Sequence, residues 1–74
     1  MSNTRTEQSV KNGIKILKTA IRRNISLSEA SRQANYGRNY VSDIKLRLRE
    51  NYRSKNVTKE TYSQFNALMK EYAG

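Results

Sequence analysis

The chain has 74 residues, enough for one domain whose single apolar core is only marginally stabilising. Hydrophobic residues make up 35% and charged residues 28%, so the chain can fold while most positions stay in water. It has no Cys, His or Trp, which excludes disulfides, thiolate or imidazole metal sites and Cys or His catalysis, and its 15 Lys and Arg against six Asp and Glu give a net charge of +9 that calls for a polyanionic partner.

Residues 1–5 are small or polar without periodicity and are expected to form a flexible arm. Arg5 in that arm either enters an adjacent DNA minor groove or is simply solvated. From Thr6, Val10, Ile14, Leu17 and Ile21 recur at helical spacing, and Ile16 widens the stripe, predicting a first helix over 6–24. Gly13 weakens that helix by about 1 kcal/mol relative to Ala unless a neighbour packs closely there. Arg22 and Arg23 at its end suit the helix dipole or a phosphate.

Ser26 and Glu29 have the spacing of a capping box, and Ile25 with Ala30 that of a hydrophobic staple, so a second helix is predicted over 27–34. Asn35-Tyr36-Gly37 breaks it, since Asn and Gly both tolerate positive φ. A third helix is predicted over 38–53, with Val41, Ile44, Leu48 and Tyr52 on its inner face and Asn39, Ser42, Asp43, Leu46, Arg49, Glu50 and Arg53 opposite. Thr58 can cap a fourth helix over 58–72, with Val57 and Tyr62 as a second staple and Tyr62, Phe65, Leu68, Met69 and Tyr72 as its apolar stripe. That stripe either packs within the chain or buries part of itself against a second copy. The expected fold class is all-α, a single four-helix domain with a tri-helical core and a C-terminal helix.

The stretch from Leu27 to Ile44 resembles the helix-turn-helix DNA-binding motif. Ala30 and Ser31 stand where small residues let the two helices cross, Asn35 stands in the usual Gly position, Tyr36 is the apolar turn residue, and Val41 with Ile44 forms the anchor. Gly37 departs from the pattern, occupying a place where Ser or Thr often caps the second helix. Small size and richness in Asn, Lys, Ser and Tyr resemble regulators carried by phages, viruses or plasmids, with no subfamily assigned.

The resemblance implies that the third helix lies in the major groove with its N-terminal part nearest the bases. Arg38, Asn39, Ser42, Asp43 and Leu46 are then the base-contacting residues: Arg forks onto guanine, Asn pairs with adenine, Ser serves either base, Asp accepts from cytosine. Leu46 points away from the inner stripe and touches a thymine methyl, packs on another subunit, or is an ordinary surface leucine. Phosphate contacts fall to Ser28, Arg32, Tyr40, Lys45, Arg47, Arg49, Arg53 and Lys55. Tyr62, Phe65, Met69 and Tyr72 are expected to join two copies, so that a homodimer meets a palindromic operator.

The expected function is therefore a sequence-specific duplex-DNA-binding transcriptional regulator, a repressor, that is not an enzyme and uses no cofactor, metal or small-molecule ligand. No apolar run approaches the roughly 20 residues that span a bilayer, so a soluble, cytoplasmic, nucleoid-associated protein without a membrane partner is expected. Alternatives are an excisionase-like or small-terminase-like accessory of DNA processing or architecture, an RNA-binding module using the basic segment from Lys45 to Arg53, and a protein-binding helical inhibitor.

Overall fold

Residues 4–74 are described by the computed structural model as four helices: α1 (Thr4–Arg23), α2 (Leu27–Gln33), α3 (Tyr40–Arg53) and α4 (Lys59–Ala73). The fold is all-α, with no strand among the described residues. Thr4 and Arg5 belong to α1 and not to the arm expected over 1–5, and the rest of that expectation, residues 1–3, lies outside the described part. Glu7 in the first turn favours this early start, because a carboxylate there complements the positive end of the helix dipole.

α1 is the central element and packs on all three others, most extensively on α4. Val10, Ile14, Ile16, Leu17 and Ala20 are buried along it, and Ala30, Val41, Leu48, Val57 and Phe65 close the core from the other elements. Phe65 and Leu17 are fully inaccessible. Each such side chain contributes about 1.5–3 kcal/mol over its exposed state. Gly13 marks the tightest crossing: a Cβ there would lie 2.9 Å from Ile44 Cδ1 and 3.1 Å from the Phe65 ring. The glycine that weakens α1 locally is thus what lets α3 and α4 approach it.

Three helices end in the same way. After α1, Asn24 takes φ 55° and Ile25 N–H reaches back to Ala20 O at 3.0 Å. After α2, Asn35 takes φ 67° with Tyr36 N–H on Ser31 O at 2.9 Å, and after α3, Lys55 takes φ 62° with Asn56 N–H on Asn51 O at 2.8 Å. Each is a left-handed residue closing a Schellman motif and satisfying carbonyls the helix leaves open. Gly37, expected to share this work, is not at positive φ.

Ser26 caps α2 as predicted, its Oγ accepting from Glu29 N–H at 3.1 Å. The Glu29 carboxylate turns to its own helix, accepting from Gln33 at 3.4 Å and lying 3.9 Å from Arg32. Thr58 caps α4, accepting from Thr61 N–H at 3.3 Å. Glu7, reaching over from α1, takes the Thr58 N–H at 2.9 Å and the Thr61 hydroxyl on its carboxylate. Burial by itself would raise the Glu7 pKa, but the Thr61 hydroxyl, the Thr58 N–H and hydroxyl, and Lys11 together outweigh it and hold the carboxyl below its ordinary value.

α3 begins at Tyr40, two residues later than expected, and Asn39 before it makes no side-chain cap bond. The connection is held instead by aromatic packing. Tyr36 stacks on Tyr40 with centroids 4.1 Å apart, and the Tyr40 hydroxyl donates to Ser9 O at 3.4 Å, fastening the turn to α1. At the other end of α3, Tyr52 stacks on Tyr62 of α4 at 4.2 Å.

Much of the α4 stripe packs against the chain itself. Phe65 is wholly inside, Tyr62 lies on Tyr52, Met69 packs against the core, and the Tyr72 hydroxyl accepts the Leu27 N–H at 3.1 Å. Of the four residues expected to join two copies, Phe65 is thus enclosed within the chain, Tyr62 and Met69 are part-buried, and Tyr72 keeps 37% of its surface exposed.

Candidate nucleic-acid interface

α3 is buried along Val41 and Leu48, with Ile44 half-buried beside them, and this fixes which side of the helix faces out. Ser42, Asp43, Leu46, Arg49, Glu50 and Arg53 are all exposed on the opposite side. Leu46 is 82% exposed, the most exposed large apolar side chain among the described residues. Arg38 and Asn39 are exposed as well but sit in the turn ahead of α3 and not on it. They therefore extend the outward face at its N-terminal end, on backbone less rigid than helix.

Leu46 divides two shallow concavities. One is lined by Arg5 and Arg47 together with Tyr40, Asp43, Ile44 and Asn51. The other is lined by Arg49 and Arg53 together with Glu50 and Ser54. Leu46 thus stands between Arg5 and Arg47 in one concavity and Arg49 and Arg53 in the other, and each concavity also holds one carboxylate, Asp43 in the first and Glu50 in the second. Neither Asp43 nor Glu50 belongs to the salt bridges among the described residues, which are Glu7–Lys11 and Glu29–Arg32, each 3.9 Å long.

The expected phosphate-contacting residues separate into groups. Arg47, Arg49 and Arg53 flank the ridge, and Lys45 is exposed on the same helix. Ser28 and Arg32 are exposed on α2, Arg32 within reach of Glu29 in a pair too solvated to neutralise it firmly. Lys55 is exposed in the left-handed turn after α3. Tyr40 differs from these in being half-buried, stacked on Tyr36 and bonded to α1, while it lines the same concavity as Arg5 and Arg47.

Arg5 was assigned by sequence to an arm and instead stands across from Arg47 on the first turns of α1. Its helical register could have been read only by starting α1 before Thr6, where no apolar residue marks the periodicity. Among the described residues no three His, Cys, Asp or Glu side chains gather as metal ligands, and no helix is long and apolar enough to cross a membrane. Compared with protein-family models, with curated proteins and with solved structures, the chain matches none.

Proposed function

We propose that this chain binds duplex DNA with sequence preference, seating the outward face of α3 in the major groove, and represses transcription by occluding a promoter. The observation that carries this reading is the charge profile across α3. A helix in the major groove meets uncharged base edges along its centre and phosphates along both walls. Leu46 stands exposed between Arg5 and Arg47 in one concavity and Arg49 and Arg53 in the other, and the amide of Asn39, the hydroxyl of Ser42 and the carboxylate of Asp43 are exposed with it.

Within this reading Arg38 and Asn39 supply bidentate base contacts, Ser42 and Asp43 add single ones, and Leu46 meets a thymine methyl. Selection from random duplex oligonucleotides at two salt concentrations tests it. A preferred site should emerge, and Arg38→Ala and Asn39→Ala should each lose about 1–3 kcal/mol of discrimination while keeping most non-specific binding. Scrambled duplex competing as well as any enriched sequence, or unchanged preference in both variants, would overturn it.

A further inference from the structure

A second basic groove lies away from the α3 ridge, between α1 and α2. Lys15, Arg22 and Arg23 line it over a floor that includes the buried Ile16 and Ala30, with Tyr36 of the turn also on its wall. No carboxylate lines it, whereas each α3 concavity contains one. None of its three cations belongs to a salt bridge among the described residues. Arg23 is instead oriented by a neutral acceptor, donating to Gln33 Oε1 at 2.6 Å, so its charge is positioned without being cancelled. The Asn12 carbonyl oxygen is also engaged, accepting from Gln8 at 3.0 Å, which leaves its amide N–H for a ligand. The groove therefore presents donors and positive charge on a rigid floor, and the ligand it suits is an acceptor-rich anion with repeated charge.

We propose that this groove is a second, sequence-independent site for the phosphodiester backbone of DNA, and that it holds a duplex other than the one on α3, so that one chain bridges two. It shares no lining residue with either α3 concavity, and the stacked Tyr36–Tyr40 pair stands between them, Tyr36 on one wall and Tyr40 on the other. Backbone contacts of this kind carry no base information and are steeply salt-dependent.

The inference takes the α3 reading for the first duplex, and the two fail separately: α3 through lost site preference, the groove through lost bridging. The test immobilises one duplex on beads, adds the full chain, and measures capture of a second, labelled duplex of unrelated sequence. Wild type should capture it. Lys15→Glu with Arg22→Glu should drop capture to background while the chain stays on the immobilised duplex with its salt dependence unchanged. Lys15→Gln with Arg22→Gln should lower the log–log salt slope of capture by about 2, one for each phosphate contact removed. Both positions are exposed on α1, and circular dichroism establishes that the variants remain helical. Capture by the Glu variant equal to wild type, loss of both duplexes together, absence of capture by wild type, or better competition by single strands would each overturn it.

Discussion

Ser31 is the one buried side-chain polar atom without a partner among the described residues: its Oγ is fully enclosed at the crossing of α2 with the core and forms no hydrogen bond. An enclosed hydroxyl that gives up water without replacement costs about 1–3 kcal/mol, and Ala is also the better helix former. Ser31→Ala should therefore stabilise the chain by about 1 kcal/mol, raising the urea midpoint with the slope of unfolding unchanged. A lower midpoint would mean the hydroxyl is satisfied in solution. The sequence does mark position 31 as small, which fits the crossing, but it does not reveal that the oxygen goes unpaired. Asn35 is the opposite case, because a left-handed residue at a helix end is written in the residue type itself.

Between elements, the contact with the clearest signature in solution is the one from Glu7 to the N-terminus of α4. Its carboxyl titrates below its ordinary value in the folded chain, so the unfolded chain takes up the proton first as pH falls. The stabilisation is complete above the unfolded value, about pH 4.3, and is lost as pH drops through the lower folded value. Glu7→Gln should cost about 1–2 kcal/mol at neutral pH and flatten the acid limb of a stability profile measured from pH 7 to 3. An unchanged limb would show that other carboxylates set it. Helix positions and caps at Ser26 and Thr58 are legible because they depend on neighbours within a turn. The Glu7 latch is not, since its partners lie 51 and 54 residues away and no local pattern joins them. The late start of α3 and the inward turn of Tyr40 escape for the same reason, both being set by packing on α1. So does the role of Phe65, because a helical stripe states that a face is apolar and leaves open what lies against it.

At the scale of the molecule, a charge of +9 on 74 residues is a source of self-repulsion that salt screens and a bound polyanion would relieve. In the α3 reading Arg49 and Arg53 contact phosphate, so replacing both with Ala should weaken binding to every duplex about equally and reduce the salt slope by about 2. Titrations of a preferred and a scrambled site at several salt concentrations check this, and a loss confined to the preferred site would make these residues base readers instead. Charge distribution was only half readable from sequence. The face of α3 follows from its 3.6-residue period, whereas the pairing of Arg5 with Arg47, and of Lys15 and Arg22 with the α2 side, needs the helices placed.

The broadest contact surface in the fold joins the first helix to the last. The core therefore closes only when two distant parts of the chain meet, and during folding the apolar side of α1 stays uncovered until Phe65 reaches the space beside Gly13. In that interval the unfolded chain depends on its own dense positive charge to keep clear of its neighbours.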